Sequence, residues 1–221
     1  MRHVAAMIVG IAVLAFAAGD ASARDRKPSR DQGREAATQF VALPDVSTPT
    51  LVAGLAKPPI GWIEFCQTNQ DECDVQTVDA AGVRIDAKIW TKIVRLNREV
   101  NASIEQVEDI DQFGVLEKWT YPVNGQGDCE DIVLEKRRRL IEAGLPRSAL
   151  LITVVRDEQG DGHAVLTLRT DRGDYVLDNK TSKIRRWQDT PYGFVKRQSQ
   201  QHPDIWVTLD SQSSPVMTAK R

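Results

Sequence analysis

Gly127-Asp128-Cys129-Glu130-Asp131 sets one cysteine among acidic residues at the point where a helical pattern begins. A helix N-terminus there aims free N–H groups at the sulfur, an arrangement that lowers a thiol's pKa and makes it a nucleophile. Asp128 stands at the N-cap position, and Glu130 and Asp131 suit the first turn. The helix is expected to run to about Ala143, with Gly144 at C′ and Pro146 just beyond. Leu150 to Val155, His163 to Arg169 and Tyr175 to Asp178 then read as strands. Their connections are short and rich in turn residues, which favours an antiparallel meander. The resulting expectation is an α+β fold in which a helix that starts at a cysteine packs on an antiparallel sheet.

A hairpin centred near Arg172 brings His163, at the start of one strand, to the same sheet edge as Asp178, at the end of the next. An aspartate beside a histidine fixes its tautomer and stabilises the imidazolium, leaving the other ring nitrogen for a thiol. Beyond residue 23 the histidines are His163 and His202, and His202 lies in the polar loop sequence Gln201-His202-Pro203-Asp204. A Cys–His hydrolase in this chain therefore has His163 as its base. On spacing alone a buried helix cysteine and a hydrogen-bonded strand histidine are an equal alternative.

N-terminal to this block, Ile89, Ile93, Leu96, Val100 and Ile104 form one stripe of a core-packing helix from about Asp86 to Ile104. Residues 24–58 are rich in charge, proline and small residues and read as an arm with little structure of its own. The folded domain is expected over 59–209, followed by a polar tail over 210–221. The first 23 residues have the form of a signal peptide: Arg2 and His3, an apolar run from Val4 to Ala18, and the small-residue site Ala21-Ser22-Ala23. Export to the periplasm follows as an expectation.

In an oxidising compartment an odd cysteine calls for an explanation. Cys66 and Cys73 flank a short polar loop and are expected to pair, two unpaired thiols being the alternative; Cys129 is then left over. The 221 residues carry a net charge of −2, so no general basic field points to nucleic acid. The local run Lys136-Arg137-Arg138-Arg139 wraps most of a helical turn and reads as solvated charge near a helix C-terminus, with a docking patch for an acidic partner as the alternative.

Three blocks, Gly127-Asp128-Cys129-Glu130-Asp131, Gly162-His163-Ala164-Val165-Leu166 and Val176-Leu177-Asp178-Asn179, resemble in order and spacing those of the bacterial transglutaminase-like cysteine proteinases. The LapG-type periplasmic adhesin proteases are the best-known branch of that family. The resemblance covers roughly Trp90 to Leu209. It implies a papain- or transglutaminase-like fold with Cys129 as nucleophile, His163 as base and Asp178 as the carboxylate that orients it. The N–H of Cys129 is a candidate oxyanion donor. Trp119 and Asn124 belong to the expected cleft wall, or are ordinary packing and turn residues.

The LapG-type branch also implies calcium, held by Asp128, Glu130 and Asp131. Calcium takes about six to eight hard oxygen ligands, more than these carboxylates supply, while capping and macrodipole account for two of them without any metal. The resemblance further implies a protein substrate, a surface adhesin or another exported protein, and admits an inner-membrane receptor under cyclic-di-GMP control as regulator. Two features depart from that branch: no acidic residue follows Pro122, and the Cys66–Cys73 loop is foreign to it. The same triad can pass its acyl group to an amine, so a protein-amide acyltransferase is the second reading. A binding module with an idle triad is the third.

Overall fold

A computed structural model describes residues 40–75, 80 and 82–209. Its elements are β1 (Val52–Ala56), α1 (Ile60–Thr68), α2 (Gln70–Cys73), α3 (Ala87–Ser103), β2 (Glu105–Gln106), α4 (Asp109–Phe113), β3 (Gln126–Gly127) and α5 (Cys129–Glu142). They are followed by β4 (Leu150–Arg156), β5 (Gly162–Thr170), β6 (Gly173–Leu177), β7 (Arg185–Arg186), β8 (Gly193–Gln198) and β9 (Trp206–Leu209). The expected signal sequence over 1–23, the first part of the arm and the tail over 210–221 lie outside the described residues.

Seven strands form one sheet in the order β1-β9-β8-β4-β5-β6-β7, antiparallel at every pairing. The expected meander is β4-β5-β6. Side chains alternate across a strand, and here both faces are covered. Ile152, Leu166, Leu168 and Leu177 join a core with Ile93 and Val100 of α3 and Ile132, Val133 and Leu140 of α5. Val155, Val165 and Val176 point the other way, against Trp187, Tyr192 and Phe194. Helix α3 forms as its stripe requires, and the Asp86 carboxylate accepts the Ile89 N–H at 2.7 Å.

The stretch 24–58 is more ordered than its composition suggests. β1 pairs with β9, Gly54 opposite Thr208, and closes that side of the sheet. Before it, Ser47 N donates to Arg172 O at 2.8 Å and Thr50 N to the Asp174 carboxylate at 2.9 Å. The approach is close enough that a Cβ on Gly173 (φ 98°) would come within 2.4 Å of the Ser47 carbonyl carbon. Only glycine fits that turn. These partners lie far along the chain, so no local pattern could announce them.

The basic run is not solvated. Lys136 and Arg137 are fully buried, whereas Arg138 and Arg139 are half-buried and both meet Glu135. Arg137 Nη1 lies 2.8 Å from Glu72 Oε2, with its guanidinium 5.9 Å above the Trp62 ring. Arg147 shares the same carboxylate. Burial pushes Glu72 up, but the two guanidiniums outweigh it and hold the carboxyl below its usual range. A charge run read as a surface feature is thus partly a core feature, because α2 delivers a counter-charge from elsewhere in the sequence. Cys66 and Cys73 form a disulfide joining α1 to α2, and Cys129 is the free thiol.

Candidate active site

Cys129 is the first residue of α5 and is half-buried at the floor of a cleft of about 390 Å³. Ile60, Trp119, Glu130, His163 and Ala164 line the same cleft. The thiol donates to Glu130 Oε2 at 3.0 Å and receives the Ala164 N–H at 3.4 Å. Burial pushes the thiol pKa well up, and the neighbouring Glu130 carboxylate adds to this; the Ala164 N–H opposes both. Sequence had not marked Ala164, whose contribution comes from its backbone.

His163 and Asp178 are brought together by strand register. Leu166 pairs with Leu177, so Asp178 falls one step past the end of β6, diagonally across from His163. His163 Nε2 lies 2.9 Å from Asp178 Oδ1, and both residues are buried. With Nε2 committed to the carboxylate, Nδ1 is the nitrogen left for the thiol. Asp178 is held from several sides: Lys180 N donates to Oδ1 at 3.1 Å, Tyr192 O–H to Oδ2, and Asn101 Nδ2 to its carbonyl oxygen at 2.9 Å. Burial pushes Asp178 up, but the bonds from His163 and Tyr192 more than offset it, and the carboxyl stays below its usual range. The Tyr192 ring also meets His163 edge-on at 5.5 Å. No sequence pattern identified Tyr192, a single aromatic in a turn.

Trp119 belongs to the cleft wall as expected, packed so tightly that a Cβ on Gly61 would fall 2.1 Å from its ring. Its Nε1 donates to Glu117 at 2.6 Å. Asn124 occupies a turn with φ 54° and does not line the cleft.

The acidic residues divide. One oxygen from each of Asp109, Asp128 and Glu130 lies within 4.8 Å of the others. Asp131 stands beside this group, its Oδ1 accepting the Thr120 N–H at 2.8 Å. Asp109, on the short helix α4, carries no sequence signal of its own. Asp128 occupies the N-cap position of α5, yet its side chain makes no capping bond. Asp109 Oδ1, Asp128 Oδ1 and Asp131 Oδ2 are buried without a hydrogen-bond partner. Burial first, then Glu130, raises Asp128 to about 9; burial, then Asp128 and Asp109, raises Asp131 to about 8. Hard oxygens converging with open acceptor positions are the donor set a hard cation requires.

The sequence profile of the bacterial transglutaminase-like cysteine proteinases matches residues 52–214. This chain belongs to that family. Its match begins at Val52, where the sheet begins. As a bacterial transglutaminase-like cysteine proteinase, the chain is a cysteine peptidase with a transglutaminase-like α+β fold. Similar solved structures include Legionella pneumophila LapG, at 24% identity over 59% of this chain and 76% of that one, TM-score 0.46. The EGTA-treated form of the same protein is 23% identical over 54% and 67%, also at 0.46. Its calcium-bound form is 20% identical over 66% and 87%, at 0.43. None of the curated proteins matches the chain.

Proposed function

We propose that this peptidase cleaves an exported protein through Cys129, His163 and Asp178. The observation that carries the reading is the 2.9 Å bond between His163 Nε2 and Asp178 Oδ1, in a histidine that lines the same cleft as the one free thiol among the described residues. His163 Nδ1 takes the proton from Cys129 Sγ, and the thiolate attacks the scissile carbonyl carbon. The oxyanion develops at the start of α5, where the Cys129 N–H is unpaired within the helix. The imidazolium, steadied by Asp178, protonates the leaving amine and a thioester remains. Water, deprotonated by His163, attacks that thioester and releases the carboxylate, which restores the thiol. Ala164 N–H stabilises the sulfur whenever it is anionic.

Asp109, Asp128 and Glu130 are suited to hold a calcium ion, with Asp131 beside them, because their oxygens converge and those of Asp109, Asp128 and Asp131 include buried acceptors without a partner. When bound, calcium supplies positive charge next to the thiol and replaces the repulsion among these carboxylates with attraction. The signal-peptide pattern over 1–23 supports a periplasmic location, and a cell-surface adhesin or another exported protein suits an enzyme placed there.

The test is labelling with a thiol-directed probe at neutral pH, with the parent compared against Cys129→Ala and His163→Ala. The parent is expected to label and both variants to fail. A folded parent that does not label overturns the reading. Incubation with periplasmic extract then separates two chemistries. New N-termini mark hydrolysis, and incorporation of a labelled amine would mark acyl transfer instead.

A further inference from the structure

The edge of β5 nearest Cys129 is only partly covered. Its pairing with β6 ends at Leu166–Leu177, because the chain turns at Asp178 to hold His163. Its pairing with β4 runs on as far as Arg156–Gly162. In an antiparallel ladder the N–H and C=O of one residue point to the same neighbour, and successive residues point to opposite ones. Thr170 and Gly173 close the two-residue β5–β6 hairpin, so Thr170, Leu168 and Leu166 face β6. Ala164 and Gly162 continue that series, past the point where β6 has left. The bond from Ala164 N to Cys129 Sγ, at 3.4 Å, agrees with this alternation.

Gly162 stands two residues, about 7 Å, further along this edge. It is exposed and lines the cleft together with Cys129 and His163. No strand pairs with its free side, and its carbonyl has no partner there among the described residues. Ala164 differs on both counts, being buried and having its N–H on the sulfur. A Cβ at position 162 would meet nothing within 4 Å, so no close approach within the fold calls for glycine. What glycine does at this position is leave the strand edge bare at the mouth of the cleft.

We infer that the substrate enters as an extended segment laid against β5, and that the Gly162 carbonyl accepts the N–H of the residue whose own carbonyl Cys129 attacks. This assignment rests on the peptidase reading above. The scissile carbon must lie at the sulfur, and the sulfur lies at the Ala164 N–H. The N–H of that substrate residue then falls beside Gly162, whose oxygen is the accessible acceptor on this edge. Strand addition draws its affinity from main-chain bonds, which makes backbone conformation the first selector. A helical segment has already committed its N–H groups and is refused. Proline has no N–H to give, so the bond on its carboxyl side is spared. The substrate class is therefore an exported protein cut within an extended, locally unpaired segment.

The experiment edits the ligand backbone and leaves the protein intact. The first probe is acetyl-Val-Thr-Val-Ala chloromethyl ketone, whose β-branched residues favour the extended form. Cys129 Sγ bonds to its methylene carbon as chloride leaves, and His163 takes the thiol proton. In a second probe an ester oxygen replaces the alanine N–H. In a third the same swap is made at the neighbouring valine, whose N–H points away from β5. Iodoacetamide, which needs no docking, reports on the thiol alone. The second probe should inactivate the full chain about tenfold more slowly than the first, and the third as fast as the first. Equal rates for all three overturn the proposal, and so does an equal loss with the third. Failure of iodoacetamide to label the folded parent overturns the peptidase reading instead. Docking is then read without a reactive thiol, by NMR of Cys129→Ala with acetyl-Val-Thr-Val-Ala-amide. The peptide should shift the Gly162 carbonyl carbon, and its ester analogue at alanine should not. A Gly162 signal unmoved by millimolar peptide overturns strand docking whether or not the parent labels, and a shift without labelling supports docking alone.

Discussion

The two ends of α5 treat charge in opposite ways. Beyond its midpoint, Arg137, Arg138 and Arg139 each meet a glutamate, Glu72 or Glu135, so the charge run holds α5 to α2 and to itself. At its N-terminus, Asp128 and Asp131 sit close to Asp109 and Glu130 with buried oxygens that nothing satisfies. Matched charges stabilise or specify a fold, whereas unmatched buried charges cost free energy that structure alone does not recover. The contrast separates the scaffold end of the helix from the chemical end, and Lys136 is the one unmatched group on the scaffold side.

The largest expected effect lies at the chemical end. Cys129→Ala should abolish peptidase turnover and labelling while leaving the melting temperature near that of the parent. Asp178→Asn should lower kcat/KM by about 10⁴-fold, the scale seen when a histidine loses its orienting carboxylate. The same variant carries a pH signature. The folded-state pKa of Asp178 is depressed, so its contribution to stability is present above the unfolded value of about 3.9 and fades as pH falls through the folded value. Urea unfolding between about pH 5 and pH 3 should therefore show the parent losing more stability than Asp178→Asn. Equal losses would mean that Asp178 is not held ionised by His163 and Tyr192.

At the scaffold end the expected effects are on stability. Glu72→Gln strips Arg137 of its carboxylate in a buried setting and should cost about 3–5 kcal/mol, read by urea unfolding. Chelation should act on the chemical end by a smaller amount: at about a hundredfold excess over Kd, calcium adds about 2.7 kcal/mol, or about 5–10 °C in Tm. A melting temperature indifferent to EGTA would count against the metal. The smallest effect belongs to the exposed partner of the basic run. Glu142→Gln removes only a pair with Arg138 that is open to water, and should cost at most about 1 kcal/mol. If Glu72→Gln and Glu142→Gln proved equal, the division between buried and solvated charge would fail.

The sequence made some of this legible for physical reasons. Helix α3 carries a stripe and a capping Asp86, and β4, β5 and β6 alternate between glycine-rich turns, so both signals are local. The hairpin register then determines the meeting of His163 with Asp178. What stayed hidden depends on distant partners. β1 is a strand because β9 accepts it, Arg137 is buried because Glu72 reaches it, and Asp109, on the short helix α4, and Tyr192, just before β8, reach the site from segments with no periodicity. The backbone N–H of Ala164 is available wherever a strand passes, and only the packing of α5 aims the thiol at it.

The pairing of β1 with β9 has a practical corollary for any attempt to trim the protein. A fragment that starts at residue 59 would lose Thr50 from the Asp174–Arg197 pair and would bare the outer edge of Trp206–Leu209. An open strand edge carrying a tryptophan and branched residues is a template for another chain. Such a fragment is expected to self-associate more than one that begins near residue 40 and keeps β1 over that edge.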